Sequence, residues 1–149
     1  MFTITLIGCG SSKVVRTSKK VIKGNWTLHS VSHNQTGTYD ITLLNDASKG
    51  CFEGSSWQFI PNNNTGIYTI SNGDCNNGDR HFIFTIDEID EVTGLYDFLL
   101  KPTDQKGKSA TNKGFRLRLK ELSETTMQWQ QTVNLDGKPF TINMNFSKL

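Results

Sequence analysis

Proline and cysteine are scarce in this 149-residue chain, which contains three of each. No long apolar run is present either, since the apolar start at residues 1–7 falls far short of the roughly 20 residues that span a bilayer. Charge of one sign is not in excess, because the net charge is +2 and no block of Lys and Arg is interleaved with aromatics. These features argue against a membrane-spanning helix and a nucleic-acid surface, and the length leaves room for one domain.

Signatures of catalysis are also missing from the sequence. No Gly-X-Ser-X-Gly elbow, P-loop or dinucleotide fingerprint occurs. Carboxylates crowd residues 87–91 near a turn, where we expect a solvated tip rather than an acid–base pair. His29 and His33 lie two alternations apart and would share a face, but neither they nor His81 have a carboxylate at metal-ligand spacing. We therefore predict a protein that is not an enzyme and carries neither cofactor nor metal.

What the chain does contain is a period of two in its apolar residues, repeated about eight times. Such alternation predicts β-strands with one apolar face. Asn, Asp and Gly separate the segments and favour hairpin turns. Residues 39–50 are irregular, and within them residues 41–46 predict a strand end or a short helical turn. The predicted strands cover residues 25–31, 56–60, 66–70, 81–86, 95–100, 115–119, 126–133 and 140–146.

Short strands joined by hairpins leave two open edges unless the sheet closes. An up-and-down barrel removes both edges and gathers the apolar faces inside, and a two-sheet sandwich would serve equally well. Because long crossover connections are nearly absent, the barrel is favoured. We therefore predict an all-β fold, namely a single antiparallel, up-and-down, eight-strand barrel.

The segment Leu6-Ile7-Gly8-Cys9 resembles a bacterial lipoprotein box, in which the cysteine is acylated and becomes the first mature residue. No Lys or Arg precedes Cys9 and eight residues are few for a signal, so residues 1–22 are expected to be a truncated signal and a flexible tether. This interpretation places the protein in the cell envelope, anchored to a membrane through Cys9, with the periplasmic face of the outer membrane favoured. A fortuitous cysteine after a short apolar stretch is the alternative.

Cys51 and Cys75 remain once Cys9 is set aside. In an exported domain, two cysteines predict a disulfide, which would stabilise the fold by about 3 kcal/mol. Two buried free thiols are the alternative, and the spacing matches no zinc pattern.

A further resemblance begins at Gly24-Asn25-Trp26, which opens the first predicted strand after Lys23. A Gly-X-Trp before an eight-strand meander resembles the lipocalin family, and in particular the lipocalin-like domains of small lipoproteins from Bacteroidetes-type bacteria. The resemblance places this domain at residues 23–149. The other matching residues are Leu28, Cys51, Ser56-Trp57-Gln58-Phe59, Asn64-Thr65-Gly66-Ile67-Tyr68 and Cys75.

This resemblance implies that Gly24 and Trp26 form the barrel base, where an Arg of the last strand lies across the tryptophan. Residues 140–149 contain no Arg, so we expect no counterpart of that contact here. The resemblance also implies a monomer that binds a small hydrophobic ligand inside the barrel, for transport or storage. The alternative is a filled barrel that acts as a non-catalytic interaction module of the cell envelope. The predicted ligand wall is Trp57, Phe59, Tyr68, Phe84, Met127 and Trp129.

Overall fold

The structure is a computed structural model, and it describes residues 13–87, 89–90 and 92–149. Short strands dominate these residues, with two helices beside them. The elements are α1 (Lys13–Ile22), β1 (Gly24–His33), β2 (Thr42–Leu43), β3 (Ala47–Ser48), α2 (Lys49–Phe52), β4 (Ser55–Ile60), β5 (Thr65–Ile70), β6 (Gly78–Asp87), β7 (Asp97–Thr103), β8 (Phe115–Leu122), β9 (Thr126–Leu135) and β10 (Lys138–Lys148).

Eight of the strands form a closed barrel in the order β1-β10-β9-β8-β7-β6-β5-β4, and β4 pairs with β1 to complete the ring. All eight neighbouring pairs are antiparallel. Each strand predicted from the sequence is one of these eight. The predicted all-β, up-and-down, eight-strand barrel is confirmed, and β2 and β3 pair separately as a small hairpin.

The alternation of apolar residues explains why the barrel closes around a core. In β10, Phe146 and Met144 are buried, and their partners in β9 are Met127 and Trp129, which are buried as well. The residues between them carry amides on the outer face, where Gln128 donates to Asn145 at 2.8 Å. Successive side chains of a strand point to opposite faces, so one apolar row per strand covers the interior.

One end of the barrel is closed by α1, and we call it the helix end. The side chain of Ile22 is fully buried, Trp26 Nε1 donates to the Ile22 carbonyl at 2.9 Å, and Lys148 Nζ donates to the Val21 carbonyl at 2.7 Å. Residues 13–22 therefore form a helix on the barrel, where the sequence predicts a flexible tether. Ser18 and Ile22 lie one turn apart and are both buried, which holds one face of the helix on the barrel. Neither α1 nor α2, within the described ranges, has the length and apolarity to cross a membrane.

The opposite end of the barrel carries a cap, which we define as residues 41–54. It contains the β2–β3 hairpin and α2, so residues 41–46 hold the first strand of that hairpin and its turn, and the helical turn follows later, in α2. Leu43 and Phe52 of the cap are fully buried. A disulfide joins Cys51 of α2 to Cys75 after β5, with the Cα atoms 5.9 Å apart, which confirms the predicted pairing.

Candidate functional site

The side chains predicted to form a ligand wall lie together inside the barrel. Trp57 stacks on Tyr68 with ring centroids 4.6 Å apart and meets Trp129 edge-on at 5.8 Å. Their contact with a ligand stays a prediction, because they pack on one another here. The full set, Trp57, Phe59, Tyr68, Phe84, Met127 and Trp129, is no more than 2% exposed at any member.

Aromatic rings from strands that are not neighbours meet across this interior. The Trp129 ring lies 4.7 Å from Phe98 and 5.6 Å from Phe59, and the Phe98 and Phe59 rings are 6.3 Å apart. A side chain that lined an internal cavity large enough for water would have exposed area, but Trp129, Phe98 and Phe59 are each 1% exposed or less. The barrel is therefore filled at this level, and a ligand would have to displace a ring to enter it.

A buried polar atom lies within this cluster. The indole Nε1 of Trp129 has no hydrogen-bond partner among the described residues, although the side chain is fully buried. A buried donor without an acceptor costs about 1–3 kcal/mol. The packing of the Trp129 ring against the tilted rings of Phe98 and Phe146, at 4.7 and 4.9 Å, provides compensating apolar contact.

A polar network connects the cap to the barrel wall, and sequence reasoning missed it. Tyr68 Oη donates to Asp46 Oδ2 at 2.8 Å, and Arg80 Nε donates to the same oxygen at 3.0 Å. Burial raises the pKa of the Tyr68 hydroxyl, and the hydrogen bond to Asp46 adds to the shift. The disulfide fixes the cap beside this network, so the cap end is held by a covalent bond and a charge-assisted contact.

A groove of about 270 Å³ lies beside the cap, where β1 leaves the barrel and β9 turns into β10. The rings of Tyr39 and Phe140 meet there at 4.9 Å, and His33 packs on both. Leu135 lines the groove and remains 41% exposed. The buried His33 Nδ1 has no partner among the residues described. The alternation of residues 140–146 located Phe140, but the approach of Tyr39 depends on a loop that no periodicity describes.

The barrel base contains the predicted Gly24 and Trp26 together with a residue that the sequence analysis did not expect. Lys148 Nζ lies 5.2 Å from the Trp26 ring centroid, so a cation from the last strand does cover the tryptophan. The expectation that no residue of the last strand would lie across Trp26 was wrong, because Lys148, the partner of Trp26 in the β1–β10 register, supplies a cation there. Gly24 has φ of +117°, and a Cβ placed on it would lie 3.6 Å from Cε of Lys148.

The outer wall carries an ion-pair cluster. Asp97 is largely buried, and it accepts from Arg116 Nη1 at 2.7 Å and Arg118 Nε at 3.4 Å. Asp87 lies 3.6 Å from Arg116 Nη2, and Asp90 Oδ1 accepts the N–H groups of the next turn. The other two carboxylates of residues 87–91 lie outside the described residues.

The histidines do not share a face. The register of β1 shifts between Leu28 and Ser30, and this bulge separates the exposed His29 from His33, which turns toward the groove. Within the described ranges, His, Cys, Asp and Glu form no group of three that could hold a metal ion. Cys9 lies outside the described residues, so lipid attachment there stays a prediction.

Comparisons with known proteins bear on the fold. No protein-family profile matches the chain. A search of curated proteins also finds no match. Among solved structures, a lipocalin-like protein from Bacteroides uniformis ATCC 8492 is similar, with 9% sequence identity and a TM-score of 0.51, and the match covers 87% of this chain and 99% of that one. With its closed eight-strand antiparallel barrel, this chain has a lipocalin-like fold.

Proposed function

We propose that this lipocalin-like chain is a non-catalytic binding protein that takes a small hydrophobic molecule in the groove at the cap end. The proposal rests on one observation, namely that exposed apolar side chains lie close together around this groove. Tyr39 and Leu135 line the groove, and Val133 is the cross-strand partner of Phe140. All three are at least 36% exposed. Exposed apolar side chains around a concave surface favour binding of an apolar partner.

The size and chemistry of the groove support a small ligand. Its volume of about 270 Å³ is close to the lower limit for small-molecule sites. Tyr39, Phe140, Leu135 and Pro139 supply its apolar lining, while Gln35, Asp136 and Lys138 supply polar and charged groups. An amphiphile with a short apolar segment and a polar head matches this arrangement.

Thermal unfolding in the presence of octanoate, a short-chain amphiphile, tests the proposal. A ligand at about one hundred times its Kd stabilises the fold by about 2.7 kcal/mol. We expect Tyr39→Ala and Leu135→Ser to abolish the rise in Tm. Val92→Ser is the matched control, because Val92 is 95% exposed in the loop between β6 and β7, away from the groove. A rise that survives both groove variants would place the ligand elsewhere.

Tryptophan fluorescence distinguishes the groove from the barrel interior. None of the residues that line the groove is a tryptophan, so binding there should leave the emission nearly unchanged. Entry among Trp57 and Trp129 should instead shift it strongly. An emission shift together with a rise in Tm would support the interior wall predicted from the sequence.

The filled interior favours a second candidate, a protein-interaction module of the cell envelope. Rings in mutual contact leave the surface and the cap end as the places for recognition. Native mass spectrometry of protein purified from its own envelope separates the two candidates. A co-purifying small hydrophobe supports the binding protein, whereas an empty barrel whose Tm no hydrophobe shifts supports the interaction module.

Anchoring through Cys9 is part of the same proposal, because the lipobox-like segment precedes the domain and the disulfide suits an oxidising compartment. Replacing Cys9 with Ser in the full-length precursor and fractionating the cells tests it. Release of the variant from the membrane fraction is the expected result. Unchanged membrane attachment would refute the anchor.

A further inference from the structure

The short segment before the barrel carries charge of one sign. Residues 10–23 contain five Lys and Arg and no Asp or Glu. Within α1 and the residue after it, Arg16, Lys19, Lys20 and Lys23 follow the spacing i, i+3, i+4 and i+7. Side chains at this spacing lie on one face of a helix. We call these four residues the basic face.

The opposite face of α1 packs on the barrel and so orients the basic face outward. Ser18 is 7% exposed and Ile22 is fully buried. Arg16, Lys20 and Lys23 are exposed, and Lys19 is half-buried. None of the four makes an ion pair with any residue that the structure describes. The basic face is therefore a cluster of cations without internal neutralisation.

We propose that the basic face of α1 docks on the phosphate head groups of an anionic membrane. Charge complementarity carries this inference, since juxtamembrane Lys and Arg are drawn to anionic lipids. The in-cell geometry rests on the proposed anchor: only residues 10–12 separate Cys9 from α1, a reach of about 14 Å at most. This distance is less than two Debye lengths of about 8 Å each, so an acylated Cys9 would keep the basic face within reach of the attractive field.

Acidic residues at the helix end restrict the orientation in which the barrel can approach an anionic membrane. Asp87 ends β6, Asp90 lies in the β6–β7 connection, and Glu121 and Glu124 lie near the β8–β9 turn. Asp87 is offset by Arg116, and Asp90 is engaged in its own turn. Docking through the basic face thus requires that α1, rather than the turn at Glu124, faces the bilayer. The contact is specific to one orientation of the barrel.

Vesicle binding by the full chain carrying Cys9→Ser tests the surface without any acyl chain. The probes are vesicles of phosphatidylcholine and phosphatidylglycerol in a two-to-one ratio, and vesicles of phosphatidylcholine alone. Each of the four cations should strengthen binding about fivefold, which gives a partition coefficient of roughly 10³ M⁻¹ for the anionic vesicles. We expect binding to these alone, and its loss as salt is raised.

The variant Arg16→Gln/Lys20→Gln should weaken binding to anionic vesicles by about 25-fold. Both side chains are exposed, so unfolding midpoints should match those of the parent chain. Lys106→Gln/Lys108→Gln is the matched control, since it removes two exposed cations from the β7–β8 connection at the cap end. Equal binding to both vesicle types, or equal losses in the two variants, would overturn the inference. Neither result depends on the anchor or on the groove ligand.

Discussion

Lys148 Nζ lies 5.2 Å from the centroid of the Trp26 ring and donates a hydrogen bond to the Val21 carbonyl at 2.7 Å. The same tryptophan donates to Ile22, so three elements meet at one point: α1, the first strand and the last strand. The C-terminal end of a helix carries partial negative charge. It therefore favours both the cation over the Trp26 ring and the two hydrogen bonds donated to its carbonyls. This contact closes the helix end of the barrel.

Replacing Lys148 with Met should destabilise the fold by about 1–2 kcal/mol. The aliphatic stem is retained, but the cation over Trp26 and the donor to Val21 are lost. Lys148→Arg should retain most of the stability, because a guanidinium can stack on the ring and donate. Urea unfolding measures the difference. Lys113→Met, in an exposed loop, serves as the control, and an equal effect in that variant would contradict a specific role for Lys148.

The filled interior makes a quantitative prediction for Phe98→Ala. Phe98 is fully buried and packs 4.7 Å from both Phe84 and Trp129. Truncating a ring in a close-packed core costs about 3–5 kcal/mol. Leu135→Ala at the groove should cost under about 1 kcal/mol, because that side chain is already 41% exposed. A loss below about 1 kcal/mol for Phe98→Ala would indicate a hollow barrel instead.

Alternation was enough to predict the strands because each strand has one buried face. Phe140, Ile142, Met144 and Phe146 are all buried in β10, as a period of two requires. Gly66 shows where the pattern needed more information. It sits within β5, and a Cβ there would lie 2.8 Å from the Gln58 carbonyl and would collide with the Phe82 ring. The lack of a side chain therefore serves close packing of an aromatic on the backbone.

The cap and the groove depend on contacts between distant residues, which a local pattern does not encode. Tyr68 meets Asp46 from 22 positions away, and Gln35 Nε2 donates to the Pro139 carbonyl from 104 positions away. The predicted wall residues were correctly placed inside, but the density of their packing depends on how rings from non-neighbouring strands interlock. The helical form of residues 13–22 was missed because its stabilising partner, the barrel base, lies elsewhere in the chain.

Removal of the disulfide should destabilise the protein without changing its fold class. Cys51 and Cys75 are 24 positions apart, and closing a loop of this size corresponds to about 3.5 kcal/mol in the chain-entropy model. We expect Cys51→Ser/Cys75→Ser to lose about this amount in urea unfolding. Reductant should lower the stability of the parent chain and leave the double variant unaffected. Two free thiols by mass spectrometry in oxidised, folded protein would contradict the pairing.

Two buried tyrosines predict a loss of stability at alkaline pH. Burial raises the pKa of Tyr96 to about 12, and burial together with the hydrogen bond to Asp46 raises the pKa of Tyr68 further. An unfolded tyrosine loses its proton near pH 10. Between that pH and the folded pKa, the folded state holds more protons than the unfolded state, so stability is fully present below about pH 10 and declines above it.

Each tyrosine should contribute a decline of about 1.4 kcal/mol per pH unit. We expect the free energy of unfolding, measured with urea from about pH 8 to about pH 11, to fall once pH 10 is passed. Tyr68→Phe and Tyr96→Phe should each remove the contribution of one tyrosine to this decline in the free energy of unfolding, and the double variant should remove both contributions. The phenyl ring preserves most of the packing, so the comparison isolates the hydroxyl. Parallel curves for the parent chain and the double variant would show that neither hydroxyl is held protonated by the fold.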